Sequence, residues 1–255
     1  MWVGSGRRMS RPLILVSNDD GFRAHGLRVL VDALGQFADC VVCAPLGEQS
    51  GTSQSITLNR PLRLHQESDS IFAVDGTPVD SVYVGLHSGR VLSRSPDLVV
   101  SGLNHGLNLG TDVFYSGTVA AAREGALKGI SSLAVSAAEG ADFEASALMS
   151  ARIAQRMLLL PHEPLLLNVN FPPGDHWEVK PTRLGTRRYG DGVHFRSDPR
   201  GGEYLWIGSG DVEHDEGPDT DTYAYDRGIV GVTSLSLEAW AEHHHPLLDR
   251  LVEGL

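Results

Sequence analysis

Short aliphatic runs alternating with helical periodicity constrain this chain more than any other feature. Leu13 to Val16 is a continuous aliphatic run between Pro12 and an Asn-Asp-Asp-Gly turn. Such a run fits a strand covered on both faces. Leu27, Leu30, Val31 and Leu34 recur at helical spacing, which predicts a helix over 26–37. Cys40 to Ala44 repeats the strand pattern and is stopped by Pro45. Further strands are expected over 56–64, 71–74, 97–100, 133–136 and 165–170. Helices are expected from Pro78 through Leu86, over 118–128 and over 143–159. Alternation of this kind implies an α/β fold with a doubly wound, mostly parallel sheet.

After about residue 175 Gly, Asp, Arg and aromatic residues mix without helical period as far as Gly228. That texture suggests a C-terminal β-hairpin or arm extension, closed by a strand over 229–235 and a short helix over 246–252. The expected organisation is a core over 12–175 that carries the active site and an extension over 176–255. At 255 residues the chain is long enough to bury a sizeable core.

Charge and hydropathy narrow the partners. The formal net charge is −11, whereas a binder of nucleic-acid polymer needs a basic face. A small phosphorylated substrate is compatible, because one bound cation supplies the positive charge locally. No apolar run approaches the roughly 20 residues that span a bilayer. The two arginines of MWVGSGRRMSRP have no apolar stretch behind them, so no signal peptide is expected and a cytoplasmic location is. Cys40 and Cys43 form a C-x-x-C within a strand. They are read as core thiols pointing to opposite faces, not as a redox pair.

Four polar clusters fall where ligands bind in open α/β sheets, beyond the carboxyl ends of strands. Asn18-Asp19-Asp20-Gly21 follows the first strand. Adjacent carboxylates repel unless a cation or proton sits between them, although one Asp capping a turn would give the same letters. Gln49-Ser50-Gly51-Thr52-Ser53 follows the second strand and by itself reads as a flexible loop. Ser101-Gly102-Leu103-Asn104, with Gly106, Asn108 and Gly110, has the spacing G-x-x-x-G-x-x-x-G and not the dinucleotide fingerprint. Tyr115-Ser116-Gly117-Thr118 opens an alanine-rich helix, whose N-terminus suits either an anion or a simple hydroxyl cap. Together the clusters offer oxygen ligands without Cys or His, a set suited to magnesium, manganese or calcium. A hard cation beside a helix N-terminus is what phosphate-ester hydrolysis requires.

Five segments in series resemble the survival protein SurE family of metal-dependent 5′-nucleotidases. They are SNDDG at 17–21, QSGTSQSITL at 49–58, DGTPVDSVYVGL at 75–86, PDLVVSGLNHGLNLGTDVFYSGTVAAAREGAL at 96–127 and LLNVNFP at 166–172. The resemblance implies a Rossmann-like core and one divalent ion per subunit, magnesium or manganese with calcium also compatible. Its ligands would be Asp19, Asp20, Ser50 and Asn104. Asn18, Asn108, Ser116, Gly117 and Thr118 would face the substrate phosphate. Asp19 and Asp20 would be catalytic, one of them handling a proton or acting as nucleophile. It also implies nucleoside 5′-monophosphate substrates, with 3′-nucleotides and short polyphosphate as further candidates. The assembly would be a homodimer or homotetramer that exchanges its C-terminal extensions. Leu46 to Gln49 stand where the family usually carries basic or amide side chains, Ala120 replaces a glycine, and VTSL at 232–235 replaces VTPL.

Two rival readings use the same residues. One is a metal- or nucleotide-binding regulatory module without turnover, and the other a scaffold in which NDDG is only a capped turn. His243 to His245 and the acidic stretch 211–221 read as solvated surface, and Arg123 and Glu124 as helix surface.

Overall fold

The computed structural model describes residues 11–160, 163–190, 192–208, 212–215, 217–239 and 250–253. The histidine run and the N-terminal ten residues lie outside these. So does most of the expected last helix, of which 250–252 are helical.

Every residue of β1 (Leu13–Ser17) is buried. Ile14 and Val16 pack into one cluster while Leu15 packs into another, as a two-sided strand must. The first cluster is covered by α1 (His25–Leu34) and α4 (Phe143–Met157), through Leu27, Leu30, Ala147 and Met157. The second lies under α2 (Pro78–His87) and α3 (Gly117–Leu127), through Val82 and Ala121. Gly125 lets α3 settle on the sheet, since a Cβ there would meet Val99 Cγ2 at 2.7 Å.

The remaining strands of the main sheet are β2 (Asp39–Pro45), β3 (Leu64–Ser68), β4 (Ile71–Val74), β5 (Leu98–His105), β6 (Ser132–Ala137), β7 (Leu166–Phe171), β8 (Val179–Thr182) and β13 (Val230–Ser234). Their order is β3-β4-β2-β1-β5-β6-β7-β13-β8. The strands from β4 to β7 are parallel, whereas β3 against β4 and β13 against β7 are antiparallel. The chain therefore winds outward from β1 through β2, then returns to β5 on the other side.

Cys40 and Cys43 on β2 are free and belong to opposite clusters. Burial pushes their thiols up to about 11 and about 12, so neither carries thiolate chemistry at neutral pH.

Two expectations need correction. The run 56–63 is not a strand, because its backbone is bonded to side chains of the α2 region. The N–H groups of Thr57 and Arg63 go to Asp80 Oδ1 (2.8 Å) and Asp75 Oδ1 (2.6 Å), and Pro61 has no N–H to give. The stretch after 175 also contains a helix, α5 (Asp221–Asp226), capped by Thr220. Its length of six residues shows no period to read. The other described elements there are β9 (Arg187–Tyr189) with β12 (Val212–His214), and a hairpin of β10 (Val193–Ser197) with β11 (Glu203–Ile207). Among the described residues no helix is long and apolar enough to cross a membrane.

Candidate active site

β1 and β5 are neighbours, and the connections leave them toward opposite sides of the sheet. The crevice of an open α/β sheet forms at such a reversal. Asn18, Asp19 and Asp20 leave the end of β1 there, and Asn104 lies at the end of β5.

Asp19 is buried and tightly held. Its Oδ1 accepts the Thr118 hydroxyl, the Thr118 backbone N–H supports the same carboxylate, and its carbonyl accepts Gln49 N–H at 2.8 Å. A Cβ at position 117 would meet Asp19 Cβ at 2.8 Å and Oδ2 at 2.9 Å, so glycine lets the first turn of α3 come this close. Burial is the largest influence on Asp19 and raises it above the usual carboxylate range, against the Thr118 bonds. Asp20 is half-buried; burial first, then the Asp19 charge, push it up to about 6. Glu48 adds repulsion to both. Two neighbouring carboxylates that resist ionisation are relieved by a shared cation.

The other two expected ligands each have one donor hydrogen committed. The Ser50 hydroxyl donates to Glu48 Oε1 at 3.1 Å, and Asn104 Nδ2 donates to the Gly106 carbonyl at 2.9 Å. What they can offer a cation is oxygen. Among the described residues no three of His, Cys, Asp and Glu gather into a metal-holding group. The candidate set therefore stands on two carboxylates, a hydroxyl and an amide, which suits a hard ion.

Asp19, Ser50, Asn104, Asn108 and Ser116 line one cleft of about 850 Å³. Asp20 borders a smaller cavity of about 420 Å³ with His25 and Phe143, and His105 borders both. Asn18, Gly117 and Thr118 are not among the residues that line the cleft. Asn18 Nδ2 closes the NDDG turn on the Gly21 carbonyl at 3.0 Å. The Ser116 hydroxyl caps α3 by accepting Val119 N–H at 3.0 Å. The hydroxyls of the Ser-Gly-Thr turn thus serve the cap and Asp19. For a phosphate there remain the Ser116 O–H, which the cap does not use, and the backbone at the positive end of α3.

Several supporting residues escaped the sequence reading. Asn108 is fixed by three side chains: its N–H donates to Asn170 Oδ1 (2.8 Å), its Nδ2 to Ser136 Oγ (2.7 Å), and its carbonyl accepts Asn168 Nδ2 (2.8 Å). The alternating asparagines of a buried strand were the available signal, since buried amides demand partners. Glu124 is buried and Arg123 half-buried, contrary to their reading as helix surface. Gln54 bridges them, at 3.3 Å to Glu124 Oε2 and 3.4 Å to Arg123 Nη1, and so ties the Ser50 loop to α3. The C-terminal segment also lines the cleft, through Tyr189, Gly192, Val193, Ile207 and Gly208. Asp221, within the acidic stretch expected at the surface, is buried and accepts the N–H groups of Gly110 (3.0 Å) and Gly185 (2.7 Å).

The matches to known proteins agree with this architecture. The family described as survival protein SurE matches residues 14–191. A protein of Sorangium cellulosum named 5′-nucleotidase SurE is 53% identical over 96% of this chain and 97% of its own length. A relative of the same name from Vibrio vulnificus is 40% identical over 95% of this chain and 96% of its own. The crystal structure of the SurE protein from Aquifex aeolicus superposes with a TM-score of 0.80 at 35% identity, covering 94% of this chain and 99% of that one. Sequence and fold point the same way over nearly the whole length: this chain belongs to the SurE family.

Proposed function

We propose that the chain hydrolyses nucleoside 5′-monophosphates at the β1–β5 crevice with one divalent ion held by Asp19, Asp20, Ser50 and Asn104. The observation that carries this reading is the gathering of Asp19 with the oxygen donors of Ser50 and Asn104 on one cleft, next in the chain to the raised carboxylate of Asp20. The close relatives named 5′-nucleotidase support the substrate class. When bound, a divalent cation polarises the phosphoryl group and makes water a better nucleophile at neutral pH.

The protein's own groups do the rest. Thr118 and Gly117 fix Asp19 against the first turn of α3. Asn108, rigid on its β6 and β7 partners, presents a fixed edge to the phosphate. The positive end of α3 stabilises charge gathering on the phosphoryl oxygens. Asp20, less enclosed than Asp19, is the carboxylate with room to take a proton from water. No Lys or Arg is among the described residues that line the cleft. A polyanion would therefore meet one cation and the neighbouring Glu48, which favours monophosphates over polyphosphate.

The exposed hairpin places Val193 opposite Ile207 and Phe195 opposite Leu205, an apolar face suited to a second copy of the chain. Homo-oligomerisation through this extension, as a dimer or tetramer, belongs to the same proposal.

The test is phosphate release from a panel of nucleoside 5′- and 3′-monophosphates and polyphosphate, after chelation and with manganese or magnesium restored. Ion-dependent release from 5′-monophosphates is expected, with little from polyphosphate. Nucleotide binding without release under every ion would favour the regulatory module instead.

A further inference from the structure

The cleft is much larger than a phosphate, and the part of its lining that comes from the C-terminal segment contains an aromatic side chain held at its hydroxyl. The Tyr189 hydroxyl donates into the Asp112 carboxylate, 2.8 Å from each oxygen. The same carboxylate takes Arg187 Nη1 at 2.5 Å in a pair whose side chains are only 14% and 13% exposed. The Arg187 guanidinium lies 5.3 Å from the centre of the Tyr189 ring. Asp112 sits on the 3-10 turn Gly110–Phe114, anchored in turn by Asp221 through Gly110 N–H. Tyr189 is nonetheless 47% exposed and borders the cleft.

A ring pinned at its hydroxyl and flanked by a guanidinium cannot swing away, so it meets a planar ligand without losing rotamer freedom. Around it the wall is mostly glycine backbone and the apolar Val193 and Ile207, which offer no charge to a second phosphate. The geometry points to Tyr189 as the stacking platform for the nucleobase of the substrate, with Asp112 and Arg187 as its positioning residues. This subsite rests on the nucleotide reading of the cleft. It adds which residue recognises the base.

Binding tests it directly, by calorimetry on the manganese-loaded protein with adenosine 5′-monophosphate and with ribose 5-phosphate, which lacks the base. The unmodified protein should prefer the nucleotide by roughly tenfold or more, the effect of one base–aromatic stack. Tyr189→Leu should reduce that preference about tenfold. Tyr189→Phe, which keeps the ring and loses the tether, should retain most of it. Equal losses for both ligands in Tyr189→Leu would make the residue merely structural and overturn the subsite. So would an unchanged ratio, or a Phe variant as poor as Leu. Turnover is scored separately: a protein that binds with this preference but releases no phosphate would defeat the hydrolytic reading and leave the subsite standing.

Discussion

At the scale of single residues, Asp19 is held tightly while Asp20 is left more open. Gly117→Ala would drive a methyl into the Asp19 carboxylate, and displacement of a reacting group by even 1 Å costs about a hundredfold in rate. A loss of that order in kcat, with an unchanged circular dichroism spectrum, is expected. Thr118→Val keeps the shape and removes the hydroxyl that orients Asp19. Manganese affinity should fall about tenfold or more in titration calorimetry, as for other groups that orient a metal ligand.

The pair also makes a pH prediction for the ion-free protein. The folded pKa of Asp20 is about 6, against a usual value of 3.8, so between those values the folded chain binds more protons than the unfolded chain. The contribution of Asp20 to stability is therefore present below about pH 4 and lost as pH rises through 6. Without divalent ions, Asp20→Asn should melt at a higher temperature than the unmodified protein at pH 7 and not at pH 4. Equal melting temperatures at both pH values would contradict the burial and repulsion assigned to this carboxylate.

Among the elements, the parallel strands and the helices between them were legible because burial on both faces leaves continuous aliphatic runs such as Leu13 to Val16. The polar groups gathered at strand ends were legible as clusters of polar letters. The fastening of those clusters was not. Asn168 and Asn170 hold Asn108 across a sequence gap of some 60 residues, and Gln54 reaches Glu124 across 70. A local pattern carries no trace of such pairs. The six residues of α5 were missed because a helix under two turns shows no period. The anchoring of the C-terminal arm is testable at this scale. Arg187→Met leaves Asp112 without its cation in a part-buried site, and breaking such a pair typically costs about 3–5 kcal/mol. Limited proteolysis should then cut the segment around 187–207 much sooner than in the unmodified protein, while the main sheet survives.

Over the whole molecule, the sheet supplies a rigid crevice and the C-terminal segment supplies its outer wall. That division explains why the first 170 residues carry almost all the recognisable chemistry while the cleft is incomplete without Tyr189, Val193 and Ile207. It also leaves the hairpin's apolar face, with Ile207 84% exposed, available to another copy. Replacing Phe195 and Leu205 together by Asp should shift the protein to monomer in light scattering; an unchanged mass would remove the hairpin from the assembly.

In the proposed function Asp19, Asp20, Ser50 and Asn104 form one cation site on which hydrolysis depends. Manganese titration of the chelated protein, with turnover followed in the same samples, addresses it most directly. One ion per chain is expected, with phosphate release that rises with occupancy. In a folded Asp20→Asn variant both should be lost. Full turnover without the ion, or an Asp20→Asn protein that binds and hydrolyses as before, would contradict it.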